Sequence, residues 1–141
     1  MKKLMMAIGI IGILTGVGFS QEPTSIAPDM VVNLNAVNAI MAHLIVDENY
    51  QPVVNDCAQI SAHAKDIFEK SPSKDPASIK RFQSYALQLE ANADILKVLA
   101  EKIQKSNEEK LDTGTLKKTA ALTFGQIVTS CVSCHQEYRV R

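Results

Sequence analysis

Five consecutive residues, Cys131-Val132-Ser133-Cys134-His135, carry the most specific chemistry in the chain. Two cysteines separated by two residues, with histidine directly after the second, read as a c-type haem attachment site. The spacing has a chemical reason. Two thiols add to the two vinyl groups on one edge of a porphyrin, and one turn of chain spans that edge. The adjacent imidazole of His135 then reaches the iron as proximal ligand. Two other uses of such a motif fit less well. A thioredoxin-like redox pair belongs near a helix start in a βαβ pattern, and no such pattern is visible. Zinc wants four ligands, and no second Cys/His pair stands at finger-like spacing. With three Cys and three His in 141 residues, a chance coincidence is disfavoured. One covalently bound haem c is the expected cofactor.

The start of the chain gives an address. Lys2 and Lys3 form a positive n-region, and Leu4 to Phe19 is apolar apart from Gly and Thr. Gly18 and Ser20 supply the small residues of a cleavage site before Gln21. A transmembrane anchor would be the competing reading. At roughly sixteen residues the run is short for a span, and no stop-transfer charges follow it. No cysteine sits at the cut to take a lipid. Residues 1–20 are therefore expected to be a signal peptide and 21–141 the mature domain, exported to the periplasm without an anchor. Export agrees with the motif, because bacteria attach haem c outside the cytoplasmic membrane. Removing Lys2 and Lys3 leaves 13 of the 15 basic side chains against 15 acidic ones. So neutral a domain has no electrostatic footprint for nucleic acid. With no Trp, three Tyr and four Phe, it offers no broad stacking surface either.

The elements that must position the motif are helices. Asp29 is placed to cap a first helix over about 29–47, with Met30, Leu34, Val37, Met41 and Leu44 as its apolar stripe. Asn49 to Pro52 reads as a turn, Pro52 opening a second helix to about residue 70. Its inner face is Val53, Cys57, Ile60, Ala64 and Ile67, which makes Cys57 a buried, inert thiol rather than a reactive one. After a polar connector, Asp75 caps and Pro76 begins a third helix. Its seam, Ile79, Phe82, Ala86, Leu89, Ala93, Leu96, Ala100 and Ile103, alternates steps of three and four, the pattern of close antiparallel packing. Ser106 to Gly114 loses the period and reads as a loop. A fourth helix starts at Thr113 or Thr115, turns Leu116, Ala120, Phe124, Ile127, Cys131 and Cys134 inward, and carries the motif on its last turns. With no strand-like alternation, the fold expected is all-α, an antiparallel up-down-up-down four-helix bundle.

That topology narrows the search for a second iron ligand. The C-terminal end of the fourth helix faces the N-terminal end of the first, where Met30 lies on the stripe. Met41 is roughly 16 Å further along the axis, too far for one haem to meet both. Geometry leaves Met30 with two readings, thioether ligand or core filler. His43 lies at the far end of the bundle. His63, flanking the core stripe of the second helix near the haem end, is the alternative that would make a bis-histidine site.

An exported four-helix chain ending Cys131-Val-Ser-Cys134-His135-Gln-Glu-Tyr138-Arg139 resembles the class II c-type cytochromes, the cytochrome c′ family. The resemblance covers essentially the whole mature chain, and the CxxCHxxYR run is its specific part. It implies one of two iron sites. In cytochromes c′ proper an apolar side chain of the first helix covers a five-coordinate iron that binds small gases. In the low-spin relatives a methionine from that helix ligates the iron and the protein carries electrons. Met30 falls about where those members place it, so the resemblance implies a His135/Met30 site. It also implies that Arg139 lies near the haem, favouring reduced iron or holding a propionate; a helix-end cation answering the dipole is the plainer reading. Cys57 is a departure from the family pattern.

The function expected is single-electron transport in the periplasm through a His/Met-ligated haem. The chain shows no nucleophile or acid–base pair, so no enzyme activity is expected. The alternative is a five-coordinate protein binding nitric oxide or carbon monoxide. Redox proteins of the periplasm are the expected partners. Lys70, Lys74, Lys80, Arg81, Arg139 and Arg141 gather at the haem end but are interleaved with Glu69, Asp75 and Glu137, which reads as a mixed solvated surface. The resemblance also implies pairing of two copies through the first two helices.

Overall fold

The computed structural model describes residues 27–138, which hold helices and no strand. The signal-peptide reading of residues 1–20, and the positions of Arg139 and Arg141, lie outside the described residues. Four helices are present: α1 (Ala27–Ala42), extended by a π-helical turn (His43–Asp47), α2 (Tyr50–Phe68), α3 (Pro76–Glu108) and α4 (Gly114–Tyr138).

The longest, α3, forms where its seam predicts. Asp75 caps it, its Oδ2 accepting the Ser78 N–H at 2.8 Å, and Pro76 takes the first position, where no N–H is missed. Phe82, Ala86, Leu89, Ala93, Leu96, Ala100 and Ile103 are all buried. It ends in a Schellman motif, Leu111 N–H to Ser106 C=O and Lys110 N–H to Asn107 C=O. The charged run after Ser106 thus stays helical to Glu108. Lys110 takes the left-handed φ of 56° that this motif requires.

Neighbouring helices run antiparallel. The start of α1 meets the end of α2 through Asp29, His63 and Lys70. Ser78 at the start of α3 meets Tyr138 at the end of α4. Helix α2 packs on α3 and α1, and α3 packs on α4, whereas α1 and α4 approach each other far less; beyond the α1 extension, Lys117 of α4 donates to Glu48 at 2.6 Å. The main core fills the middle of the bundle around Ile40, Val53, Ile60, Leu96, Ile103 and Ile127. A second, smaller core of Ile67, Phe82, Ala86 and Cys134 occupies the end where α1 begins and α4 finishes, with Met30, Phe68, Tyr85 and Tyr138 against it.

Three expectations are corrected. Helix α1 turns Asn33, Ala36 and Ile40 inward and leaves Leu34 and Met41 exposed. It is apolar on several sides, so its orientation is set by docking on α2 rather than by its own period. Asp29 lies in its first turn rather than at the cap. On α4 the fully buried positions are Ala120, Thr123, Ile127, Ser130 and Cys134, with Phe124 and Cys131 on the flank. Thr123 and Ser130 can be buried because each hydroxyl donates to a carbonyl one turn back, Thr119 and Gln126, at 3.0 Å. Near the N-terminus, Pro28–Asp47 is long and apolar enough by composition to cross a membrane. It is nonetheless the first helix of the bundle, its inner face packed on α2.

Candidate functional site

Where α1 and α4 part, a cavity of about 420 Å³ opens between them. Its size is that of a small-molecule or cofactor site. Helices α2 and α3 supply its floor through Ile67, Phe82, Ala86 and Leu89. Helix α4 supplies Cys131, Cys134 and His135, and α1 supplies Met30, Asn33, Leu34 and Val37. The structure thus brings four of the sequence-derived site residues to one cavity: Cys131, Cys134, His135 and Met30. Cys134 is buried, Cys131 and Met30 are half-buried, and His135 is exposed. His63 does not line the cavity; its Nδ1 is engaged 3.1 Å from Asp29 Oδ1.

The two motif thiols are free and shielded. Burial pushes Cys134 up to about 11, with Cys131 and Glu137 adding to the rise, and burial also raises Cys131. A redox-active pair needs a lowered thiol pKa. Raised rather than lowered, both thiols lack the thiolate character of a redox-active pair. Cys57 is fully buried in the main core and pushed up to about 12, chiefly by burial.

The end of α4 is locked onto α3. Tyr138 donates its hydroxyl to Ser78 C=O at 2.6 Å and meets Phe82 edge-on at 5.2 Å. Arg81 Nε donates to Glu137 Oε1 at 2.7 Å, and Tyr85 donates to Glu137 Oε2 at 3.2 Å. The Arg81 hydrogen bond holds Glu137 below the usual carboxylate range. A second clamp holds the start of α1. Lys70 donates to Asp29 Oδ2 at 2.8 Å and His63 engages Oδ1, so Met30 follows directly on a fixed residue. The basic surface at this end is accordingly part-neutralised, Lys70 and Arg81 each meeting a carboxylate.

Asp29, His63 and Asp66 also place three ligand atoms within 4.8 Å of one another. The Lys70 ammonium already neutralises Asp29, so a metal ion would have to displace it.

One cavity residue escaped the sequence. Asn33 is only 4 % exposed, and neither its Nδ2 nor its Oδ1 has a hydrogen-bond partner. Leaving a buried donor or acceptor unmade costs about 1–3 kcal/mol. Thr123 and Ser130 escape that cost by bonding their own helix, which the Asn33 carboxamide does not do. Asn33 is one of three asparagines in α1, with Asn35 and Asn38, and stands out from them once the buried face is known.

The donor set fits haem c. Two free thiols two residues apart, an imidazole next in sequence, a thioether on the facing helix and a mostly apolar lining are the side-chain types that such a group takes. Compared with known proteins, the chain matches no family model, no curated protein and no solved structure.

Proposed function

We propose that the chain is a periplasmic c-type cytochrome resembling the low-spin class II members, carrying single electrons through one haem. The observation that carries this reading is the convergence of Cys131, Cys134, His135 and Met30 on one apolar cavity. Each thiol would add across a vinyl double bond, its sulfur bonding one carbon and its hydrogen passing to the other. Protonated thiols supply that hydrogen without any oxidant. His135 would offer an imidazole nitrogen to the iron from α4 and Met30 a thioether from α1. When bound there, the haem supplies a one-electron ferric/ferrous couple. The apolar floor of Ile67, Phe82 and Leu89 excludes water and disfavours the extra charge of the oxidised state, which raises the potential, as a thioether ligand does. Helices packed on all but one side leave the site little to rearrange during transfer.

The second reading is a five-coordinate protein that binds nitric oxide or carbon monoxide on the Met30 side. The two differ in whether the Met30 sulfur reaches iron. The optical spectrum of the haem-loaded protein, with and without carbon monoxide, separates them. Electron transport predicts sharp split bands on reduction, a sulfur-to-iron charge-transfer band when oxidised, and indifference to carbon monoxide. Met30→Ala is expected to abolish that pattern and admit the gas. Broad high-spin bands that already shift with carbon monoxide in the wild type would reject the carrier. Export, docking of periplasmic redox partners at the haem end, and an Arg139 charge beside the haem belong to the same proposal. Pairing of two copies does too: Val31, Leu34 and Met41 are exposed along α1 and Ile45 on the turn that extends it, and sedimentation velocity would detect it.

A further inference from the structure

Asn33 stands apart from every other residue of the cavity. It lies one turn beyond Met30 on α1, lines the same space, and is almost wholly buried with both polar atoms unpartnered. Among the described residues, one other side-chain atom, Asp56 Oδ2, shares that condition, and Asp56 is not among the cavity residues. Buried polar groups left unmatched mark an absent partner or a functional role. Because Asn33 shares helix and cavity with Met30, while His135 comes from α4, its carboxamide belongs to the Met30 side of anything bound between them.

We propose that Asn33 is the positioning residue of that side: its Nδ2–H donates a hydrogen bond to the electron-rich atom at the sixth position of a bound haem. The inference rests on the haem reading above. The shared chemistry is a lone pair accepting from an amide. Its two sources are the Met30 thioether and a small exogenous ligand such as carbon monoxide. A donor on the ligand draws electron density from the iron and favours the reduced state. Asn33 itself is only 4 % exposed, so water competes little for its donor.

The test uses the mature haem-loaded protein, with haem content checked first from the covalent haem spectrum of the denatured chain. Asn33→Leu keeps the branched heavy-atom skeleton and removes the donor. It is expected to lower the reduced-to-oxidised ratio at a fixed poise about fivefold, the worth of one ordinary hydrogen bond. Asn33→Asp keeps the shape and loses the donor, and is expected to lower the ratio further, since a carboxylate favours the oxidised iron. A packing role alone would not produce that order. In the Met30→Ala background, the C–O stretching frequency of the carbon monoxide complex reads the second source. It should rise when Asn33→Leu is added, because a donor strengthens back-donation into the ligand. A fall in ratio with Met30 present assigns the thioether as acceptor; a response confined to the carbon monoxide complex assigns the exogenous ligand. Unchanged ratio and unchanged frequency in haem-loaded variants overturn this inference alone. A wild type without haem removes the reading beneath it as well.

Discussion

Cys131 and Cys134 differ from Cys57 in surroundings rather than in chemistry. All three are free thiols, but the first two face a cavity and the third lies at 0 % exposure in the main core. With Cys57 pushed up to about 12 by burial, it should resist thiol reagents until the bundle unfolds. In the haem-loaded protein, thiol titration is expected to find none in the native state and one after denaturation. Three thiols after denaturation would mean that no thioethers had formed. That Cys131, Cys134 and His135 stand together at one place on α4 was legible because the order of residues states their spacing outright. Met30 was legible through topology, since helix ends that meet can be counted along a chain. Asn33 was not, because an asparagine counts as polar in any periodicity. Only the packing of α1 on α2 reveals it as an inward residue without a partner.

Helices show the same division. The α3 seam was readable because large residues and alanine alternate strictly from Phe82 to Ile103, although Leu87, Ile95 and Val98 lie exposed on its other faces. Helix α1 has apolar residues around most of its circumference, so its own sequence does not select a face. Two predictions belong here. Lys110 occupies the left-handed position of the α3 C-terminus, where a side chain costs about 1–2 kcal/mol. Lys110→Gly is expected to stabilise by about 1 kcal/mol after the entropy of glycine is offset, read as a higher denaturant midpoint at unchanged m-value. An unchanged or lower midpoint would oppose that account. The Asp29 clamp supplies the second. The Lys70 hydrogen bond, then that of His63, lowers the Asp29 pKa against the opposing effect of burial. A depressed carboxyl contributes stability that is fully present above its unfolded value, near 3.8, and is lost as pH falls through the folded value. Asp29→Asn should therefore cost about 1 kcal/mol at neutral pH, with the gap to wild type closing below pH 3.8. A gap independent of pH would show that the ion pair is not its source.

At the scale of the whole molecule, three helix pairs pack closely and the fourth pair stands apart. That asymmetry gives a cavity instead of a closed core. The bundle could be anticipated from four amphipathic segments with short connectors; the parting of α1 from α4 could not. It depends on side chains of two distant segments failing to fill a shared space. Cys131, Cys134 and His135 on one wall and Met30 on the other make this gap the place proposed above for a covalent cofactor. The measurement that tests this most directly is the intact mass of the protein exported from a host able to mature c-type cytochromes. The account predicts the mass of the chain from Gln21 plus one haem, reduced to the bare polypeptide when Cys131 and Cys134 are both replaced by alanine. A wild-type mass equal to the polypeptide alone, from cells that load a control cytochrome, would contradict it.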